Sequence, residues 1–579
     1  MGGEDPHPDE LRYHPQMRIS VAFVVAGIMM QQPAGDRPAG NTRGTRSVVM
    51  ARHGVIATSQ PLATAAGLRV LQSGGNAIDA AVTAAAVLAV VEPTMNGAGG
   101  DLFAILYDAK TKKVHGLNAS GRAPAAATLE EFRKRGVQQM ALRGELSVSV
   151  PGVVDGWSEL LAKHGTRSLA QALEPAIGYA RDGYAVSEII ADQWKSVESM
   201  LGRDSKSAAV FLLGGKAPAP GDVMRNPALA ASLELIARDG RDAFYKGPIA
   251  RAIGDEMQRR NGLLTAKDLA DHHSDWIDPL STAYRGYQVL ELPPNTQGIA
   301  TLEMLNVLEG FDLKSLGHNS AAYLHLLVEA KRIAFADRDA WIGDASSTPK
   351  QVIERMLSKD YAAARRKEID ADKVSAGYRP MTIEGRSTPD GGDHPIARGD
   401  TVYLTAADGE GNVISLIQSL YETFGSGIVA GDTGIVLHNR GSLFSLSAGH
   451  PNQVAPGKRP FHTLIPAMVL KDGTPWVSFG VMGGDMQAQG HAQVLANLID
   501  FGMNIQEAGE APRFRHTANG LALESAFTQD ARSGLTRRGH NLIQSTGVWG
   551  GFQGIMIDAK TRVLMAGSDP RKDGMAAGW

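Results

Sequence analysis

From Gly399 to Leu420 the chain reads GDTVYLTAADGEGNVISLIQSL, two runs rich in β-branched and aromatic residues (401–407 and 413–420) on either side of Asp408-Gly409-Glu410-Gly411-Asn412. Such runs, joined by a turn bearing Gly and Asn, predict a β-hairpin. Centred on Glu410, the hairpin places Thr401 directly opposite Ser419. Opposed side chains share a face with Cβ atoms roughly 4.5 to 5.5 Å apart, so two hydroxyls meet at the open end. On spacing alone an ordinary Thr–Ser cross-strand pair satisfies the same pattern. A nucleophile with an orienting hydroxyl is the functional alternative.

The chain changes character at this hairpin. Residues 382–398 crowd Gly, Pro, Asp, Ser and Thr into an exposed loop that ends on Gly399-Asp400. Upstream, helical patterns dominate. Residues 61–72 carry Pro in the first turn, with Gly74-Gly75 after the end. Asn76 can cap residues 77–90, which are apolar almost all round and predict a buried helix. Further helices are expected at 169–182, 227–239 and 321–341. Downstream, a strand-like run over 476–481 enters Gly483-Gly484-Asp485 and a helix over 488–499. The fold class is α/β, helix-rich in its first two-thirds.

Composition narrows the function. The 579 residues hold 58 basic and 61 acidic side chains, a net charge of −3, and no cysteine. That balance offers no footprint for nucleic acid or an anionic membrane and favours a small-molecule amide or peptide substrate. Without cysteine, disulfides, thiolate metal sites and a cysteine nucleophile are excluded. Residues 19–30, after Arg18, form an apolar stretch too short to span a bilayer but suited to a signal peptide. The polar leader 1–16 fits a true start at Met17, and 32–47 reads as a linker. The expected location is therefore periplasmic or secreted; were 1–47 merely a disordered leader, it would be cytoplasmic.

The chain has no G-x-S-x-G elbow, no H-E-x-x-H, no complete G-x-G-x-x-G and no P-loop lysine. Asp271-His272-His273-Ser274-Asp275 has ligand chemistry, but adjacent histidines point in different directions, which predicts a solvated loop. Gly483-Gly484, between a strand and a helix, can leave backbone N–H groups free for a developing oxyanion; a tight packing turn is the plainer alternative. Gly97-Ala98-Gly99-Gly100-Asp101 is read as a close-packed turn.

Across residues 51–569 these pieces resemble the γ-glutamyltransferase (glutathione hydrolase) family. The resemblance rests on Gly74 to Ala81, Glu92-Pro93 through Gly99-Gly100, Val150-Pro151-Gly152, Leu264 to Leu269, Leu292 to Gly298 and Ala334 to Arg338. Its most specific part is Gly399-Asp400-Thr401 followed by Phe424 to Val429. It implies a four-layer αββα sandwich of the N-terminal-nucleophile hydrolase type, made as one precursor. Cleavage between Asp400 and Thr401 would leave a large subunit (48–400) and a small one (401–579) packed together. By the same resemblance Thr401 is nucleophile and base, Ser419 orients it, and Gly483 and Gly484 form the oxyanion hole. No metal and no cofactor is implied.

The chain departs from the family where the substrate is held. Positions that bind the glutamyl α-amino group read Tyr421, Arg440 and Leu443, so a cation and an apolar residue stand where acceptors are needed. The paired serines for the α-carboxylate are His462-Thr463, and the family arginine is absent at Ser120, with Arg122 nearest. Arg122 and Arg440 are either substrate contacts or surface residues. The combination is similar to an oxamate-amidohydrolase-like branch. γ-Glutamyl compounds such as glutathione are the family-default substrates, a small carboxylate-bearing amide the alternative, and an unprocessed, non-catalytic binding protein the third possibility. The loop 447–459 is placed to act as a lid.

Overall fold

The computed structural model describes residues 45–389, 401–544, 547 and 549–579. Asp400, and with it the expected scissile bond, lies outside the described residues, as does the apolar stretch 19–30. Among the described residues no helix is long and apolar enough to cross a membrane.

The hairpin forms in the expected register. Pairs run from Val402↔Gln418 to Ala407↔Val413, and Asp408 Oδ1 closes the turn by accepting the N–H groups of Glu410, Gly411 and Asn412. Gly411, at φ 99°, takes the left-handed conformation that the turn requires. The hairpin occupies the centre of a seven-stranded antiparallel sheet, in the order Met575–Gly578, Gly54–Thr58, Val402–Asp408, Val413–Ser419, Asp101–Asp108, Lys113–Ala119, Asp275–Ile277. A second seven-stranded sheet has Thr474–Val481 at its middle, flanked by Phe552–Ile557 and Ala467–Lys471.

Side-chain alternation sets the layers. Tyr403 and Ala407 join Phe103, Ile105 and Ile417 against Leu290, Met468 and Ile555 of the opposite sheet. Val402, Leu404 and Ala406 face the other way, into a core built with helices that include Ala77–Val91, Val153–His164 and Leu169–Asp182. The second sheet packs Val469, Val477 and Phe479 on helices Gly298–Leu308, Ala321–Trp341 and Met486–Ile499. The result is the four-layer αββα sandwich. Residues on both sides of position 400 interleave in both sheets, so a cut there would leave every strand pair intact.

Local rules explain the helices. The Asn76 side chain accepts the Ile78 and Asp79 N–H groups while Asp79 reaches back, a capping box, and every residue of Ala77–Val91 is buried. Helices Leu169–Asp182, Pro227–Asp239 and Ala321–Trp341 keep the expected bounds. Other boundaries shift by one or two residues: the second hairpin strand ends at Ser419, the buried helix at Val91, and the strand before the glycine turn begins at Thr474. The first hairpin strand begins at Val402, one residue after Thr401, and the late helix begins at Met486 because the turn at Gly483-Gly484 already supplies its first hydrogen bonds.

Candidate active site

One row of side chains crosses the end of the hairpin sheet. Thr401 is followed by Ser419, Ser419 pairs with Asp101, and the Leu102↔Ala119 register puts Asp101 beside Ser120. Directly opposed residues share a face, here the face turned toward the second sheet. Thr401 and Ser419 are buried, and the Thr401 hydroxyl donates to Ser419 Oγ at 3.2 Å. The Tyr421 N–H donates to the same Ser419 oxygen at 2.8 Å, from a backbone bent to φ 80°.

The second sheet supplies the opposite wall. Thr405 Oγ1 lies 2.7 Å from Ser478 Oγ, and a Cβ on Gly480 would strike the Tyr403 ring. The same progression carries Thr401 toward Met482 to Gly484. Gly483 (φ 112°) and Gly484 (φ 61°) give their carbonyls to the Met486 and Gln487 N–H groups at 3.1 Å. Among the described residues neither glycine N–H is a donor. A packing turn would need only the carbonyl bonds; the two free N–H groups at a helix start are what an oxyanion requires. Below the turn, the Val481 N–H donates to His491 Nε2 at 3.1 Å, and His491 Nδ1 donates to Glu291 at 2.8 Å.

Beyond Ser419 the site becomes strongly polar. Arg440 is fully buried in the 3-10 turn Arg440–Leu443; its Nη1 donates to Thr463 Oγ1 at 3.0 Å and its guanidinium lies 4.4 Å over the Tyr421 ring. Among the described residues its Nε and Nη2 have no partner, nor does the Tyr421 hydroxyl. Burial pushes the Arg440 guanidinium down to about 10, against the charge of Asp101, so it remains a cation at neutral pH. His462 Nε2 donates to Asp101 Oδ2 at 3.0 Å and leaves Nδ1 unpartnered. Burial and Arg440 push His462 down to about 3. Burial alone would favour the neutral Asp101 carboxyl, but His438, His462 and Arg440 outweigh it and hold the group below the usual carboxylate range.

Comparison with known proteins decides the family. The gamma-glutamyltranspeptidase family model matches residues 63–579. The chain belongs to the gamma-glutamyltranspeptidase family. A glutathione hydrolase-like YwrD proenzyme from Bacillus subtilis is 40% identical, with 92% of this chain and 99% of that protein covered. An oxamate amidohydrolase proenzyme from Klebsiella pneumoniae is 35% identical over 91% of this chain and 98% of that protein. The crystal structure of a cephalosporin acylase from Bacillus halodurans superposes with a TM-score of 0.87 at 40% identity, covering 95% of this chain and 99% of that one. The protein is an enzyme of this family, whose relatives are made as proenzymes.

Within this gamma-glutamyltranspeptidase scaffold the candidate residues separate into two groups. Thr401, Ser419, Tyr421, Arg440, His462 and Thr463 are linked by the contacts above, and Gly483-Gly484 stand across from them. Arg122 is not brought to that cluster: its guanidinium is held by Asp275 at 3.0 Å and by the His273 carbonyl at 3.0 Å, and Arg459 pairs with the same Asp275. The 271–275 loop is only partly solvated, because His272 is buried and stacked on Tyr245 while His273 is exposed. The loop 447–459 is pinned by bonds from Asn452 to the Leu443 carbonyl and from Lys458 to the Pro451 and Gln453 carbonyls.

Two participants escaped the sequence. Asp101 ends a glycine turn that packs as expected, with a Cβ on Gly99 falling 2.2 Å from the Val436 carbonyl, yet its carboxylate joins the site row. Gln297, quoted in the sequence only as part of a motif, bonds the Gly484 and Thr463 carbonyls of the site. A metal-ligand grouping exists among the described residues at His325, Glu329 and His540. Its atoms already have partners: His325 Nδ1 lies 2.7 Å from His540 Nε2, and Glu329 accepts from Arg332, the Ser375 N–H and Tyr378. That is a closed hydrogen-bond cluster.

Proposed function

We propose that the protein is a self-processing N-terminal-threonine amidohydrolase that prefers amides whose acyl group carries a carboxylate. The observation that carries the substrate class is Arg440, a fully buried cation with Nε and Nη2 unpartnered and a Thr463 hydroxyl fixing its third edge. Asp101 offsets part of the cost of burying this cation, but guanidinium N–H groups removed from water and left unbonded still cost about 1 to 3 kcal/mol each. A carboxylate meeting that free edge would restore charge-assisted, bidentate bonding.

The chemistry starts with processing. The Thr401 hydroxyl attacks the Asp400 carbonyl, the C–N bond to Thr401 breaks, and water hydrolyses the resulting ester, leaving a large subunit of residues 48–400 and a small one of 401–579. The freed Thr401 α-amine has an ordinary pKa of about 8 and serves as base near neutral pH. It takes the hydroxyl proton as Thr401 Oγ1 attacks the substrate carbonyl. The oxyanion is met by the Gly483 and Gly484 N–H groups, and the proton passes to the leaving amine. Water then attacks the acyl ester, giving the acid and restoring the hydroxyl. Ser419, 3.2 Å from Thr401 Oγ1, keeps that oxygen aimed. The apolar stretch 19–30 supports export to the periplasm or outside the cell.

Cleavage of γ-glutamyl amides such as glutathione is the second reading, favoured by the relative named glutathione hydrolase-like. It would require a glutamyl ammonium to sit beside the Arg440 cation. Turnover of oxamate against γ-glutamyl-p-nitroanilide separates the two, with a denaturing gel to follow processing. Efficient γ-glutamyl turnover would show that the pocket still accepts the α-ammonium beside Arg440, and a single uncleaved band with no amidase activity would favour a binding protein.

A further inference from the structure

The Gly483-Gly484 turn has two glycines with positive φ and no side chains of its own to hold it. Free N–H donors contribute to catalysis only if they are fixed before the reaction. What fixes them comes from another part of the chain. Gln297, fully buried at the start of helix Gly298–Leu308, points its carboxamide between the two loops that build the site. Its Nε2 donates to the Gly484 carbonyl at 3.1 Å and to the Thr463 carbonyl at 2.8 Å. Its Oε1 accepts from Arg338 Nη1 at 2.6 Å. Arg338 can only donate, so this contact fixes which end of the carboxamide is oxygen and which is nitrogen.

Arg338 is itself immobilised. It is buried, pairs with Asp485 at 2.9 Å and Asp339 at 2.7 Å, and lies 3.7 Å over the Phe335 ring. Asp485 is the residue directly after Gly484. The turn is therefore held at two adjacent points, its carbonyl by Gln297 and its next side chain by the arginine that orients Gln297.

We propose that Gln297 is a positioning residue of the reaction: it holds the Gly484 peptide so that the Gly483 and Gly484 N–H groups face the oxyanion on the Thr401 adduct. The proposal rests on the assignment of those glycines as oxyanion donors. A displacement of about 1 Å in such a site costs roughly a hundredfold in rate. Gln297→Glu keeps the Arg338 contact but sets a carboxylate oxygen against two carbonyls. Gln297→Met keeps the length and removes both donors. The segment at His462 keeps its backbone bonds to Asn295 and Gln297 in either variant, so recognition of the acyl group persists.

The test is steady-state kinetics of the processed enzyme, normalised to nucleophile content by active-site titration. It is combined with the affinity of a boronic acid that forms a tetrahedral adduct on Thr401 and of the planar carboxylic acid product. The expected result is a kcat lowered about 10- to 100-fold with KM within about twofold. Boronate affinity should fall by the same factor as kcat/KM, while product affinity holds. If Gln297→Glu does not accumulate folded, Gln297→Met decides. An unchanged kcat in a folded, processed variant overturns the proposal, as does an equal loss of boronate and product affinity. A Thr401→Ala enzyme that still hydrolyses amides would instead overturn the nucleophile assignment beneath it.

Discussion

The two ends of the site are built differently. At the reaction end, a threonine hydroxyl bonded to a serine on the neighbouring strand faces a glycine turn whose carbonyls are all bonded and whose N–H groups point free. At the end proposed for recognition, Arg440, Tyr421 and His462 bury polar atoms that no described residue satisfies. Buried polar atoms without partners cost roughly 1 to 3 kcal/mol each, so such a concentration marks the place where a ligand completes the structure. On the proposed reading, this chain keeps its family's means of opening an amide while changing what holds the acyl group.

Each half of that contrast can be broken separately. The largest effect is expected from Thr401→Ala, which removes the hydroxyl proposed both to cut the precursor and to attack the substrate. It should remain one chain on a denaturing gel and lose at least about a thousandfold of amidase activity. Next, Arg440→Met should lower kcat/KM for carboxylate-bearing amides about 10- to 100-fold, the worth of a charge-assisted bond, and leave processing intact. Equal losses on charged and uncharged acyl groups would mean that Arg440 only supports the fold. A smaller change, in the opposite sense, is expected from Asp101→Asn. Removing a negative charge near Arg440 makes the pocket more positive, so KM for an acid amide should fall a few-fold; a rise in KM would contradict this.

Stability gives the finest test. Burial pushes His462 and His491 down to about 3, against an ordinary value near 6.5. Between those values the unfolded chain binds protons that the folded protein refuses, so stability falls as pH drops from about 6.5 toward 3. Asp101 acts in the same direction lower down: its contribution is present above the ordinary carboxylate value and lost as pH falls through its depressed one. Tm should decline steadily from pH 6.5 to 4, and a flat profile would argue against neutral buried imidazoles.

Much of the reaction end was legible in the chain. A period-two pattern and a glycine-rich turn set the hairpin register, and the register alone brought Thr401 opposite Ser419. Caps and flanking glycines likewise located the long helices. The recognition end was legible only as substitutions. That Arg440 is buried and half-unpaired while Arg122 is tied to Asp275 depends on which of two arginines the tertiary packing encloses. Asp101 was hidden in a turn that does pack closely, because a carboxylate one residue past a glycine pair has no local signature. Gln297 bonds partners 166 and 187 residues away, a distance over which no periodicity carries information.

The central claim is that a buried cation reads a carboxylate on the acyl half of the substrate. It is tested most directly by kcat/KM for a matched pair of p-nitroanilides, one with an ω-carboxyacyl group and one with the uncharged acyl group of equal length, in the wild-type enzyme and in Arg440→Met. The wild type should favour the carboxyacyl anilide by about 10-fold or more, and the variant should lose that preference. A wild type that does not discriminate, or a variant that keeps the preference, would contradict it.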